Sequence, residues 1–245
     1  MINIIIPMAG LSSLAKELEY PYPSPLVEIQ GVPLIQYVIN NLCEIAKDIE
    51  FTVILRDEDC RRFHLDSTVK LLTDNKVNVV RLQRETSGAL CSILMAIEYF
   101  DNDNKLIIAN ADQIFDKGVL ATLMETIDTS VSDAACPVFD SVHPRWSYLR
   151  ISENKVVEAV EKNPVSRHAV AGLYYFRSGQ QFAKLAKRVI LNGRETDGKY
   201  FTSAVLNEYI LEELSVLPVE IRNEAYSSLF TAQRVHEFER RLREN

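Results

Sequence analysis

The stretch INIIIPMAG, residues 2–10, decides the fold. Its isoleucine-rich first half predicts a β-strand ending at Pro7, because β-branched residues favour extended chain. A small-residue loop follows, and it comprises Ala9, Gly10, Leu11, Ser12 and Ser13. A strand that opens into such a loop is where α/β proteins bind phosphates, although this loop carries little positive charge. We therefore predict a nucleotide-binding loop at its residues.

The rest of the first half alternates short apolar runs with helical periodicity. This alternation is typical of parallel strands joined by crossover helices. The pattern predicts strands at residues 3–7, 51–55, 77–82 and 105–109, and helices at 34–47, 57–72 and 87–100. Right-handed crossovers then give a doubly wound, three-layer α/β/α fold with a mainly parallel mixed sheet.

The second half is richer in consecutive extended runs. After a helix at 117–129, the pattern predicts strands at 133–139, 148–151, 155–160, 170–176 and 215–219, and helices at 180–191, 202–213 and 231–243. Because no linker or repeat divides the chain, we predict one domain over residues 1–245. Residues 1–130 would form its nucleotide-binding half and residues 131–245 its acceptor-binding half.

Composition excludes several classes of function. The formal net charge of −7 argues against a nucleic-acid partner, since counterion release needs a basic surface. The apolar runs are shorter than a membrane span and the chain starts directly with a strand, so we expect no membrane insertion and, by default, a cytoplasmic location. The four cysteines, without a C-x-x-C pair, are expected to be buried thiols.

Polar residues at the strand ends are the candidates for chemistry, because ligands of open α/β sheets bind there. Asp112 follows the apolar strand LIIA, where an unpaired carboxylate would be costly and a phosphate-bridging metal ion such as Mg²⁺ would explain it. A helix N-cap or loop aspartate is the simpler alternative. Further candidates near strand ends are, for nucleotide binding, Arg84, Thr86, Gly88 and Asn110, and, for acceptor binding, Gln113, Glu161, Lys162 and Gly172.

Each of these candidates also has a structural interpretation. Helix-opening glycines such as Gly88 are common, and Glu161 with Lys162 would look the same as a surface ion pair. Trp146, the only tryptophan, could stack on a base or a sugar, but a core position is the simpler interpretation. The four histidines show no zinc-ligand spacing, and the chain has no G-x-S-x-G nucleophile motif.

Taken in order, several motifs resemble those of the nucleotidyltransferases that make nucleotide-activated sugars. They are IIIPMAG, PSPLVEIQGVPLIQYVI, TSGAL, LIIANADQ, VVEAVEKNP and AVAGLYYF, followed by DGKYFTSAVLNEYI. The resemblance is greatest to small nucleotidyltransferase-like proteins of capsule and lipopolysaccharide biosynthesis. It implies a nucleotide-diphospho-sugar transferase-like fold that binds a nucleoside triphosphate and a phosphorylated sugar or small metabolite.

The resemblance also implies a reaction and its residues. The acceptor phosphate attacks the α-phosphorus of the triphosphate, pyrophosphate leaves, and Mg²⁺ on an aspartate, a loop arginine and a P-K-P lysine neutralise charge. Asp112 matches the first metal-binding aspartate. Leu14 stands where the arginine is expected, Ser24 where the lysine is expected, and Ser228 where a second metal-binding aspartate is expected.

Three interpretations follow. A divergent enzyme would use Asp112 with a replacement cation such as Lys16, Arg56 or Arg84, and we favour Lys16. A non-catalytic binding or regulatory subunit would explain the neutral Leu14, Ser24 and Ser228. A glycosyltransferase on a related sheet would use Asn110 and Asp112 as an altered D-x-D motif. The oligomeric state is not determined by these patterns, and a homo-oligomer is one alternative.

Overall fold

The computed structural model describes residues 1–10 and 14–244. In chain order its strands are β1 (Ile2–Pro7), β2 (Glu28–Ile29), β3 (Val32–Pro33), β4 (Ile49–Arg56), β5 (Val77–Leu82), β6 (Lys105–Ala109), β7 (Gln113–Phe115), β8 (Ala134–Asp140), β9 (Ser147–Ser152), β10 (Lys155–Glu161), β11 (His168–Val170), β12 (Leu173–Phe176), β13 (Val216–Glu220) and β14 (Tyr226–Ser228). Its helices are α1 (Leu14–Glu17), α2 (Leu34–Leu42), α3 (Asp57–Phe63), α4 (Leu65–Leu72), α5 (Ala89–Leu94), α6 (Val119–Ser130), α7 (Gly179–Leu191), α8 (Ser203–Leu211) and α9 (Ala232–Glu244).

A ten-stranded mixed sheet forms the centre of the molecule. Its order is β10-β9-β11-β8-β12-β6-β1-β4-β5, with β13 paired to β8. The strands β6, β1, β4 and β5 are parallel to one another, and β13 is parallel to β8. The antiparallel pairs reverse only β12, β11 and β10, so most strands of the sheet run in one direction. The mainly parallel mixed sheet predicted from the sequence is confirmed.

Helices cover both faces of this sheet. Ile4 and Ile6 of β1 belong to the apolar cluster that includes residues of α2, α4, α6 and α9, whereas Ile5 belongs to the cluster that includes residues of α5, α7 and α8. Alternate side chains of a strand point to opposite faces, so β1 is buried on both. This confirms the three-layer α/β/α arrangement.

Several predicted elements are interrupted. The helix predicted at 57–72 is two helices, because His64 has the left-handed backbone conformation with φ of 53°. The helix predicted at 87–100 is the short α5 followed by a separate 3-10 turn. The strand predicted at 170–176 is divided between β11 and β12 at Gly172, whose φ is +64°. These three continuous predictions were wrong because apolar periodicity continues across each interruption.

Two short strand pairs were not predicted. The hairpin β2-β3 precedes α2, and the antiparallel pair β14-β7 lies outside the central sheet. The expectation of buried thiols holds for Cys60 and Cys136 but is wrong for Cys43, which is exposed.

Candidate functional site

Two cavities open beyond the carboxyl ends of the parallel strands. The first, of about 460 Å³, is lined by residues at the ends of β1, β4 and β6 and by the proline-rich segment 21–25. The second, of about 290 Å³, is lined by residues of β9, β10 and the turn before β12. Asn110 and Asp112 line both cavities. The segment that follows β6 therefore lies where the two cavities meet.

Asp112 is the carboxylate at this meeting point. It is half-buried, and its desolvation raises the pKa of the carboxyl group above the usual range, while Arg145 and a backbone hydrogen bond act in the opposite direction. Burial disfavours the charged form of a carboxyl group, so the site stores an electrostatic cost that a cationic partner or ligand can offset. A perturbed carboxylate in a cleft is a candidate functional group.

The strand β14 brings Ser228 next to Asp112. Ser228 pairs with Gln113 in the β14-β7 register, and the Leu229 N–H donates to the Asp112 carbonyl oxygen at 2.7 Å. The late segment compared with the second metal-binding aspartate is therefore close to Asp112 in space. Its residue at that position is a serine, so the position contributes no negative charge.

Arg145 is the site residue that sequence reasoning missed. It precedes β9, lines the second cavity, and has its guanidinium carbon 4.5 Å from the centre of the Trp146 ring. The other ring that it packs against is Phe230. Burial lowers the pKa of Arg145 and Asp112 opposes that shift. The available signal was that Arg145 is a cation next to Trp146, the only tryptophan. However, the segment HPRW has no periodicity that would place Arg145 at a strand end.

Glu161 and Lys162 line the second cavity, as a pair at the end of β10. The Oε2 atom of Glu161 accepts hydrogen bonds from Ser147 Oγ and from Ser203 Oγ, the latter at 2.8 Å. The Lys162 ammonium lies 4.9 Å from the centre of the Phe201 ring, and the Lys162 N–H donates to the Trp146 carbonyl at 2.9 Å. Glu161 is thus held in place by two serines, whereas the Lys162 side chain is exposed.

Gln113, Gly172 and Asn110 also line the second cavity. The Asn110 N–H donates to the Gly172 carbonyl at 3.0 Å, which joins the segment after β6 to the turn before β12. A Cβ atom on Gly172 would overlap the Gln113 side-chain amide. The Gln113 Oε1 atom is buried and has no hydrogen-bond partner among the described residues.

Two of the three departures from the nucleotidyltransferase motifs, Leu14 and Ser24, lie in the first cavity. Gly10, Leu14 and Ser24 line it. Leu14 is only 1% exposed and belongs to the apolar core, and the Ser24 hydroxyl accepts a hydrogen bond from the Ala15 N–H at 3.3 Å. These contacts account for an apolar residue at position 14 and a small polar residue at position 24. Neither residue can neutralise a phosphate.

Arg56, not Lys16, is the cation that lines the first cavity. It is the last residue of β4 and also pairs with Glu58. Lys16 is exposed on α1 and lies outside the lining of both cavities, and Ala9 is buried in the core beneath. Leu11, Ser12 and Ser13 lie outside the described residues.

The segment before α5 makes internal contacts. The Thr86 hydroxyl lies 2.6 Å from the Ser92 hydroxyl, and a Cβ atom on Gly88 would overlap the Tyr200 backbone. Gly88 therefore has a packing reason as well as its predicted role in nucleotide binding. Arg84 is exposed, and none of Arg84, Thr86 and Gly88 lines either cavity.

The residues around Asp112 do not fit a magnesium ion held by protein ligands alone. Within residues 1–10 and 14–244, no three His, Cys, Asp or Glu side chains are grouped as metal ligands. Ser228 stands beside Asp112 where a second carboxylate would be needed, and the neighbouring Arg145 would repel a dication. Magnesium otherwise binds through one or two carboxylates together with substrate phosphates. A magnesium ion at Asp112 stays a prediction that requires nucleotide phosphates as further ligands.

Residues 5–194 match the family described as the MobA-like NTP transferase domain. The chain belongs to this family. This confirms the nucleotidyltransferase family that the ordered motifs predicted. The matched range contains Asp112, Arg145, Glu161 and Lys162.

One relative in sequence and two solved structures are similar to this chain. The chain is 25% identical over 177 residues to the bifunctional protein GlmU of Methanocaldococcus jannaschii, and the match covers 71% of this chain but only 40% of that relative. The fold is similar to that of a nucleoside-diphosphate-sugar pyrophosphorylase from Vibrio cholerae, with a TM-score of 0.84, 21% identity and coverage of 97% and 99% of the two chains. It is also similar to a Bacillus anthracis protein assigned as a glucose-1-phosphate thymidylyltransferase and solved with sucrose, with a TM-score of 0.75, 17% identity and coverage of 100% and 96%.

Among residues 1–10 and 14–244, no helix is both long enough and apolar enough to cross a membrane.

Proposed function

We propose that this family member transfers a nucleoside monophosphate from a nucleoside triphosphate to a sugar 1-phosphate or a similar small phosphorylated compound. The observation that carries the proposal is the position of Asp112 and Asn110 in the lining of two adjoining cavities. The first cavity, beside the β1 loop, would bind the nucleotide, and the second would bind the acceptor. The names of the structural neighbours support substrates of this class, and synthesis of surface-polysaccharide precursors is the corresponding pathway class.

In the reaction, an oxygen of the acceptor phosphate forms a bond to the α-phosphorus of the nucleotide. The bond from the α-phosphorus to the oxygen bridging to the β-phosphate breaks, and pyrophosphate leaves. Such a transfer depends on alignment and on neutralising phosphate charge more than on covalent help from the protein. Arg56 supplies positive charge to the first cavity, and Arg145 with Lys162 supplies it to the second.

The remaining lining residues would orient the acceptor. Glu161, held through Oε2 by two serines, can accept hydrogen bonds from sugar hydroxyls through its other oxygen. Gln113 presents a buried amide oxygen without a partner, which a hydroxyl donor of a ligand could satisfy. Gly172 keeps the chain clear of that amide.

Pyrophosphate release tests this function. The purified protein is given Mg²⁺ with CTP, UTP, dTTP or GTP and a panel of sugar 1-phosphates. Asp112→Asn should lower kcat by at least about 100-fold, because Asp112 would hold the magnesium ion that neutralises phosphate charge in the transition state. Asp101→Asn, an exposed aspartate before the opposite end of β6, should leave it unchanged within about twofold. If the wild-type protein releases no more pyrophosphate than the Asp112→Asn variant with every pair of substrates, the proposal is contradicted.

A second candidate is a binding or regulatory subunit that no longer turns over. Leu14, Ser24 and Ser228 favour it, because all three are neutral at positions where the family resemblance implies charge. It predicts saturable binding of a nucleotide or sugar phosphate in calorimetry with no pyrophosphate release from the same samples. We do not adopt the glycosyltransferase alternative, because the matched family is one of NTP transferases.

A further inference from the structure

Arg145 has hydrogen-bonding capacity that the described protein does not use. Its Nε and Nη1 atoms are buried without a hydrogen-bond partner, although the residue lines the second cavity. A buried donor left without a partner costs free energy, and the cost is greater for a charged group. A guanidinium offers its donors as a planar fork that matches the oxygens of a phosphate. The arrangement therefore points to an anionic ligand that contacts Arg145.

Two aromatic rings fix the guanidinium in this cavity. The centre of the Trp146 ring lies 4.5 Å from the guanidinium carbon of Arg145. The ring of Phe230, which follows β14, also packs against the guanidinium. Contact with aromatic faces stabilises a desolvated guanidinium and limits its rotamers. The contact with Trp146 places the guanidinium at the wall of the second cavity.

Glu161 directs Oε2 to Ser147 and Ser203 rather than to Arg145. The charge of Asp112 acts on Arg145, but within the described residues the two side chains form no ion pair, and Arg145 Nε and Nη1 have no hydrogen-bond partner. Lys162 adds a second positive charge to the same cavity. Ser228 beside Asp112 leaves a single carboxylate where a metal ion would need more ligands.

We propose that Arg145 binds the phosphate group of the acceptor beside Asp112, and that this binding needs no divalent cation. The inference rests on the proposed function and identifies the residue that recognises the acceptor. Arg145 takes the place of a protein-held metal ion as the neutralising charge on this side of the site. The acceptor class is then a phosphate monoester whose phosphate enters the second cavity.

Trp146 provides the readout, because it is the only tryptophan and it touches the guanidinium. Its fluorescence is followed while inorganic phosphate or glucose 1-phosphate is added, once in EDTA and once in MgCl₂. We expect a saturable change for at least one of these probes, with Kd values in the two buffers that agree within about twofold. A probe that binds only in MgCl₂, or neither probe binding in either buffer, would overturn the inference.

Variants separate Arg145 from the general charge of the protein. Arg145→Gln should raise Kd at least about tenfold, and Arg145→Lys should have an intermediate effect, because lysine keeps the charge but loses the fork. Arg150→Gln, an exposed arginine of β9 paired with Glu158, is the matched control and should bind as the wild type does. Circular dichroism establishes that each variant is folded. Unchanged binding by folded Arg145→Gln would overturn the inference.

A reciprocal substitution tests the metal side of the argument. Ser228→Asp should add a carboxylate beside Asp112, so calorimetry with MgCl₂ alone should detect magnesium binding that the wild type lacks. Magnesium binding by the wild type without nucleotide would overturn the inference. The proposed function can fail while this inference holds. If the protein releases no pyrophosphate but binds phosphate without metal, and Arg145→Gln loses that binding, then catalysis is refuted and the phosphate site at Arg145 stands.

Discussion

Leu14 shows at the scale of one residue how the nucleotide side of this molecule differs from the motifs that it resembles. Its side chain is 1% exposed in the core beside the first cavity. Burying a leucine of this kind contributes about 1.5–3 kcal/mol relative to leaving it exposed. A charged side chain at the same backbone position would have to leave that core contact. Leu14 therefore contributes to the core beside the cavity, and the proposed function assigns phosphate neutralisation on this side to Arg56.

The polar residues of the site were predictable where they follow strands. Asp112 comes shortly after the apolar run of β6, and the carboxyl ends of parallel strands meet at one edge of the sheet. Glu161 ends β10, a reversed strand, so this rule does not account for its place at the second cavity. Arg145 was not predictable by this rule, because it lies in a loop and its neighbours in space, the Phe230 ring and the charge of Asp112, are distant in sequence. Lys16 was favoured for its proximity in sequence, and the structure instead places Arg56 at the cavity.

Gly172 gives a prediction at the same scale. Gly172→Ala should lower the free energy of unfolding by more than the backbone penalty of about 1–2 kcal/mol, because the new methyl group meets a left-handed φ and also displaces the buried amide end of the Gln113 side chain. Gly193→Ala is the matched control, since Gly193 has a φ of +61° with open space around it. The control should cost only about 1 kcal/mol, the backbone penalty alone.

Urea denaturation measures both glycine variants. If the two variants lose equal free energy of unfolding, the overlap with Gln113 is relieved without cost. That result would contradict the prediction that the close approach of the Gln113 amide requires glycine at position 172.

At the scale of elements, the helix pair α3 and α4 shows the limit of periodicity. Cys60, Leu65 and Val69 all lie on the buried side, so the apolar pattern continues as if through one helix. The chain nevertheless turns at His64, where a left-handed conformation ends α3 and the His64 N–H donates to the Cys60 carbonyl. Histidine carries no strong stop signal, whereas glycine at this position would have marked the end of the helix.

His64→Gly should therefore stabilise the protein. Glycine removes the Cβ penalty of the left-handed conformation, and we expect the free energy of unfolding to rise by about 0.5–1 kcal/mol. His64→Ala keeps the Cβ atom and should give no such gain. Thermal and urea denaturation of the two variants measure the difference. Destabilisation of His64→Gly relative to His64→Ala, as at an ordinary helical position, would contradict the left-handed assignment.

The strands β7 and β14 were missed for a different reason. Each has three residues, too few for alternation to be recognised, and their pairing joins residues 113–115 to residues 226–228. This pairing places Ser228 beside Asp112. A short element with no sequence signal of its own thus determines which residue lies beside the segment of Asp112.

At the scale of the whole molecule, the central sheet contains strands from both predicted halves. β6 of the first half pairs with β12 of the second, and β12 also pairs with β8. The apolar clusters on both faces likewise contain residues from before and after residue 130. A boundary at this point would cut through hydrogen-bonded strands and through both layers of the core, so we expect the two halves to unfold together.

A cavity placed in the first half tests this cooperativity from the second half. Ile5 is fully buried in β1, and Ile5→Ala should cost about 2–5 kcal/mol of unfolding free energy. Trp146 reports from the second half, so its fluorescence transition in urea should shift to the same lower midpoint as the far-UV circular dichroism. Leu71→Ala, at a side chain that is 77% exposed, should leave both midpoints nearly unchanged. If the Trp146 transition kept its wild-type midpoint in Ile5→Ala, residues 1–130 and 131–245 would unfold independently and the single-domain prediction would be wrong.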